Sequence, residues 1–503
     1  MKKIFLSIIC LGAMLASCDM DLQPSGVLDD ETALETVNDC ERYRNGFYTN
    51  LRALTGGAYI SYPEIQMDQF FGTIINGNRH GSLSNGVILS GDSDFESIWG
   101  GCYGAISSVN FFLEKVQAIY ELETTTAEDR VKLDRFVGEA KFARAYYYYY
   151  LVDHFCNSYT NVNPAEAMGL PLNDTYNPTA DNSTYLSRSS LEDTFKFIER
   201  DAKDAYDAMI AFEETDKKYL VAQAIYLNSN VVKAFQCRIA FLKGDYQTAK
   251  TLATELIDDG MYAITLRKDY TKLWTDDEGS EIIFSPYGSQ SEGAPATGAM
   301  WLSALADKAD YIPTPFVAEE LYVRNDIRNT CFLASRDLVY ESELFTSPSF
   351  TKFPGNPAFG VNTFQNRTKP FRLSETYLIL AESCFELDDE VGANAALNTI
   401  RSNRILRYSS VDYSGIELRD QIRLERQREL IGEGFRMSDL RRWKLGFART
   451  NDAYAAPYAA AGDIVVKAGL ISYQEGDYRF VWPIPSSEIQ VNPQMTGQQN
   501  PGY

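Results

Sequence analysis

Residues 422–443 read IRLERQRELIGEGFRMSDLRRW. Ile422 and Leu430 give the stretch an apolar side, Phe435 and Trp443 follow just beyond, and Glu425 and Glu429 stand four apart among arginines. Mixed-sign charge at helical spacing predicts a helix laced by i,i+4 ion pairs and packed along one seam. Charge patterning of this kind favours a structural ion network over catalysis by Glu425, Glu429 or Glu433.

Outward from it, two helical hairpins look alike. Asn228 to Lys243 turns at Gly244-Asp245 into Tyr246 to Asp258, and Glu375 to Glu386 turns near Asp388-Asp389 into Gly392 to Asn403. Ala249, Leu252, Ala253 and Leu256 correspond to Ala393, Ala396, Leu397 and Ile400, which resembles tetratricopeptide-type helix pairs. Helical periods also run over Thr32 to Leu54, Trp99 to Ile119, Val131 to Phe155 and Leu191 to Phe212. The run Tyr146 to Tyr150 is aromatic all round, so that turn is expected to be buried. Gly56 to Glu96 is rich in Gly, Asn and Ser and reads as loop, and Met261 to Leu373 as an irregular insertion with short strands. The fold class is therefore mainly α, with large irregular insertions available for binding.

The chain of 503 residues carries a formal charge of −22, and removal of Lys2 and Lys3 with a leader makes it more negative. Such a polyanion does not suit nucleic acid, and it repels anionic lipid, so membrane attachment needs a covalent or apolar device. Lys2-Lys3, the apolar run Ile4 to Leu15 and Leu15-Ala16-Ser17-Cys18 form a lipoprotein-type signal in the right order. Residues 1–17 are expected to be a leader, Cys18 the lipidated residue and 18–31 a tether reaching about 40 Å if extended. Asp19 and Asp21 resemble the surface-export signal of Bacteroidetes lipoproteins. The other cysteines are irregularly spaced and form no C-x-x-C pair.

The 422–443 stretch resembles the C-terminal signature of the SusD/RagB family in Glu425-Arg426, Arg428-Glu429-Leu430, Gly432-Glu433, Arg436, Asp439-Leu440 and Arg442-Trp443. Glu375 to Arg404, Glu139 to Phe155 and the tail from Trp482-Pro483-Ile484-Pro485 to Tyr503 are similar to family elements too. The resemblance implies a SusD-like N-terminal region over 32–225 and a RagB/SusD C-terminal region over 226–503, packed as one body. It further implies an outer-membrane lipoprotein facing the cell exterior, which binds glycans and passes them to a SusC-like TonB-dependent transporter.

Enzyme signatures are lacking. Only His80 and His154 are present, neither in an H-E-x-x-H motif, and no P-loop, G-x-S-x-G or G-x-G-x-x-G occurs. No carboxylate pair is nominated for glycoside hydrolysis, and Asp92, Asp94 and Glu96 lack the glycine of an EF-hand loop. No catalytic residue, metal or cofactor is expected.

A glycan site needs flat aromatic walls and fixed polar partners. The loop after Tyr59 offers Asp68, Phe70, Asn76, Arg79 and His80, and the middle insertion offers Trp274, Tyr287 and Trp301. The resemblance implies ligand contacts in both zones. Trp274 and Trp301 are expected as exposed walls, whereas Trp99, Trp443 and Trp482 read as core. Phe70 and Phe71 face opposite ways if extended, so at most one touches a ligand. A SusD-like protein with peptide cargo and a surface glycan-degrading enzyme are the alternative readings. Substitution Cys18→Ala is expected to move the chain from the membrane to the soluble fraction on cell fractionation. Continued membrane retention contradicts lipid anchoring at that residue.

Overall fold

A computed structural model describes residues 33–75, 77–216, 225–303, 307–450 and 452–503. The leader, Cys18 and the tether lie outside the described residues, as does Asn76. The expected helix near residue 32 is α1 (Val37–Leu54), which starts where Thr36 and Asp39 form a reciprocal capping box. Gly56 to Glu96, expected to be loop, contains α2 (Ala58–Ile65), β1 (Phe70–Gly72) and a helical turn at Gly81–Ser84. Pro63 inside α2 hides that helix from a reading by pattern.

Next come α3 (Ser93–Tyr120), α4 (Ala127–Phe155) and α5 (Leu191–Thr215), the last two started by side-chain caps from Thr126 and Ser190. Tyr146 to Tyr150 are all buried, as their pattern requires, and Arg144 on α4 pairs with Asp201 on α5 at 2.6 Å. The first helix pair is α6 (Ser229–Leu242) and α7 (Tyr246–Asp258), turned by Gly244 at φ +74°.

The insertion holds α8 (Tyr270–Thr275), β2 (Ile282–Phe284), β3 (Tyr311–Pro313) and a long hairpin of β4 (Leu333–Tyr340) with β5 (Glu343–Phe350). β6 (Phe371–Arg372) leads into the second pair, α9 (Leu373–Glu386) and α10 (Glu390–Arg404). Then follow α11 (Gly415–Leu430) and α12 (Arg436–Arg442). All named pairings are antiparallel: β1 with β3, β2 with β6 and β4 with β5. The β2–β6 pairing brings the two sides of the insertion together. Ile379 of α9 is buried among Ala249 and Ala253 of α7, so the two helix pairs pack on each other despite their separation in sequence.

Glu425, Arg426 and Glu429 of α11 are buried, and the partners of the two glutamates differ from the expected i,i+4 pattern. Glu429 accepts from Arg372 at 2.6 Å, Arg328 at 2.9 Å and Arg404 at 3.1 Å. Glu425 meets Arg328 at 2.7 Å and Arg401 at 2.8 Å. Glu281 beside β2 also takes Arg372 and Arg404, each at 2.9 Å. Within the helix Glu425 also meets Arg428, three apart, at 3.4 Å. Burial explains the change: a desolvated carboxylate needs several fixed donors, and one helix face cannot supply them.

The turn after α11 is fixed by Glu64 of α2, whose buried carboxylate accepts the N–H groups of Gly434 at 2.8 Å and Gly432 at 3.1 Å. Gly432 and Gly434 have φ of +80° and +90°, and a Cβ on Gly432 would lie 2.7 Å from the Phe350 ring. Burial pushes Glu64 up to about 7 against those N–H groups.

Burial opposes ionisation of Glu425, but Arg328, Arg401 and Arg428 prevail and hold its carboxyl down to about 2. A depressed folded-state value contributes stability that is present above the ordinary 4.5 and is lost as pH falls towards about 2. Glu425→Gln is expected to lose about 3–5 kcal/mol at neutral pH in chemical denaturation, with the gap to wild type closing across that acid window. An unchanged gap contradicts the network reading.

Candidate functional site

The structure separates the expected contact residues into four places. Phe70 and Trp301 are fully buried and pack together at 5.4 Å, and Phe353 lies 5.9 Å from Trp301 and 5.8 Å from Trp274. Trp274 is only 2% exposed, with the Lys352 ammonium 4.4 Å over its ring. The expectation of exposed tryptophan walls is therefore corrected: the insertion folds inward, and its large rings close the core against β1 and β5. Phe70 is withdrawn as a contact for the same reason.

Asp68 is tied to Arg436 by two bonds of 2.8 and 2.6 Å, which joins the loop to α12. Arg79 and His80 share a second, polar rim. The Arg79 guanidinium pairs with Asp310 and donates to the Ala299 carbonyl at 2.7 Å. His80, at φ +58°, meets Asp94 through Nδ1 at 2.9 Å, and Tyr62 donates to Asp94 at 3.0 Å. The bond from His80 holds Asp94 below the ordinary carboxylate value. Both side chains reach solvent; protein engages Arg79 through Nη2 and His80 through Nδ1.

Tyr287 stands apart, 46% exposed, in an opening of about 550 Å³ that it shares with Tyr226, 42% exposed. Asn45, Tyr48, Thr49 and Arg52 of α1 line the same opening. Their spacing is i, i+3, i+4 and i+7, so one helix face forms the wall. Arg52 donates to the Tyr287 carbonyl at 2.7 Å and to Glu292 at 3.0 Å. Tyr226 sits edge-on to Tyr48 at 5.6 Å, with the Arg44 guanidinium 5.2 Å from its ring centre.

Beneath them Glu139 accepts from Tyr48 at 2.8 Å, from Arg135 at 2.9 Å and from Arg44. Burial alone would raise the Glu139 carboxyl; Arg44 and Arg135 outweigh it and keep the group below its ordinary value. The Tyr48 hydroxyl in turn accepts the Leu227 N–H at 3.1 Å, which fixes the chain beside Tyr226. The opening thus combines two solvent-facing rings, amide and hydroxyl groups on a helix, and one internally neutralised ion pair. It can take a ligand with apolar faces and hydroxyl edges, and among the described residues it holds no opposed pair of free carboxylates.

Residues 64–226 match the family model described as starch-binding associating with outer membrane, and residues 330–503 match the SusD family model. Together they span more than half of the chain. The chain belongs to the SusD family. A SusD-like protein of Formosa agariphila is 23% identical over 99% of this chain and 98% of its own length. A SusD superfamily structure from Bacteroides thetaiotaomicron shares 24% identity at a TM-score of 0.76, covering 93% of this chain and all of the other. A SusD-like carbohydrate binding protein from Bacteroides vulgatus superposes at a TM-score of 0.71 with 16% identity, over 92% and 98% of the two chains. These structural likenesses establish the SusD fold, mainly helical with short paired strands.

Among the described residues no helix is long and apolar enough to cross a membrane, and no group of His, Cys, Asp and Glu is placed to hold a metal ion. Tyr226 and the α1 face were missed by the sequence reading. The i, i+3, i+4, i+7 spacing of Asn45, Tyr48, Thr49 and Arg52 was an available signal, whereas Tyr226 carries none. Trp301→Ala is expected to lower stability by about 3–5 kcal/mol in chemical denaturation. A loss under about 1 kcal/mol contradicts its place in the core.

Proposed function

We propose that this SusD-family chain is a lipid-anchored outer-membrane protein of the cell surface that captures oligosaccharides and hands them to a SusC-like TonB-dependent transporter. It binds its glycan without cleaving it. The reading rests on the Tyr226–Tyr287 opening: two exposed rings offer stacking faces for the C–H surfaces of sugar rings, and Asn45 and Thr49 offer partners to hydroxyls. Family membership supports it, since the model matched by residues 64–226 is described as starch-binding and associating with the outer membrane. Arg52 and Glu292 neutralise each other, so among the described residues the opening has no free cation to select an acidic sugar.

Native electrophoresis through gels holding a panel of neutral and acidic polysaccharides is expected to show retardation of the wild type by at least one of them. Tyr226→Ala/Tyr287→Ala should weaken that affinity about tenfold or more, with an unchanged melting temperature. The polysaccharide should keep its chain length after incubation. Retention of peptides with no polysaccharide bound overturns the glycan reading, and shortened chains overturn the non-enzymatic one.

A further inference from the structure

We infer that the tyrosine opening is one lobe of a longer site, and that a second lobe beyond Ile225 makes the ligand a neutral, hydroxyl-rich chain of several sugar rings. This rests on the glycan reading above and extends it. Ile225 lines both the tyrosine opening and an adjoining one of about 700 Å³. Ile225 thus stands between the two openings, and a ligand long enough to lie over it would occupy both.

The second lobe holds two buried groups in want of partners. Thr265 and Ser285 line it, 1% and 4% exposed, and the buried hydroxyl of each has no hydrogen-bond partner. A buried hydroxyl left unpaired costs free energy, so a ligand that pairs with it gains specificity. The position of Thr265 is set by its backbone: its N–H donates to Glu281 at 3.0 Å and its carbonyl accepts from Arg404 at 2.9 Å. Both partners belong to the buried ion network, so the hydroxyl is preorganised. Gly279 lies above it, and a Cβ there would come within 2.9 Å of the Thr265 oxygen.

The charges around the lobe carry both signs, Asp269, Asp277 and Glu278 against Lys272 and Arg367. Among the described residues neither lobe therefore offers an excess of cations to a sulfated or uronate-rich chain, on a protein whose net charge is −22. Hydroxyls that both donate and accept suit the hydroxyls of a neutral sugar.

The test takes each polysaccharide that retards the wild type and measures its disaccharide to octasaccharide fragments by calorimetry. The full folded body is used, as wild type and as Thr265→Val/Ser285→Ala. Affinity is expected to rise about tenfold once fragments are long enough to pass Ile225, and the variant should lose that gain while binding short fragments as the wild type does. Equal wild-type affinity for short and long fragments overturns the second lobe, and this readout needs no variant. Long fragments bound equally by variant and wild type overturn the role of the two hydroxyls, leaving them to water. Retardation by acidic polysaccharides alone overturns the neutral class. Retardation by none fails the glycan reading itself, a result distinct from all the others.

Discussion

Glu429 takes three arginines from three separate segments, and that demand organises the C-terminal half of the molecule. Arg328 comes from the insertion, Arg372 from β6 and Arg404 from α10, all within 3.1 Å of one buried carboxylate. Each charge is tolerable only while the others are in place, because an unpaired ion in a dry interior is far more costly than a lost surface pair. The insertion is thereby bound to the helix pairs by charge as well as by apolar packing. Glu139 does the same in the N-terminal half, drawing Arg44, Arg135 and Tyr48 together. The exposed rings and the buried hydroxyls of the candidate site stand on these two centres: Tyr226 above Glu139, Thr265 against Glu281 and Arg404.

The helical scaffold was legible because it is written in spacing. The alanine and leucine positions shared by the two helix pairs pack as their period implies, and the aromatic run in α4 is buried all round. The ion network was legible as a structural device but not in its wiring, since the donors to Glu429 come from positions 328, 372 and 404. Nothing local in the sequence links those residues to the helix. Phe70 and Phe71 face opposite ways as extended residues must, yet both are buried, in two different apolar clusters. The reading by alternation was sound and the assumption of one wet face was not. Trp274 and Trp301 illustrate the same limit. A tryptophan in an irregular segment looks available, but its burial depends on whether rings elsewhere, here Phe70, Phe350 and Phe353, close over it.

The two matched family regions leave residues 227–329 between them, and that interval carries Tyr287, Glu292, Thr265, Gly279 and Ser285. The α1 face also lies outside the matched stretches. Most of the candidate site is therefore built from the part of the chain that the family patterns do not specify. That division suits a fold in which packing and ion pairing hold a common body while loops and one helix face vary with the ligand.

The central claim is that sugar rings stack on Tyr226 and Tyr287. A crystal structure of the protein with a retained oligosaccharide addresses it most directly. The account predicts density for pyranose or furanose rings lying flat against those two side chains, with Trp274 and Trp301 still enclosed. A saccharide seated elsewhere, with the tyrosine opening empty or the two indoles turned out to meet it, would contradict the account.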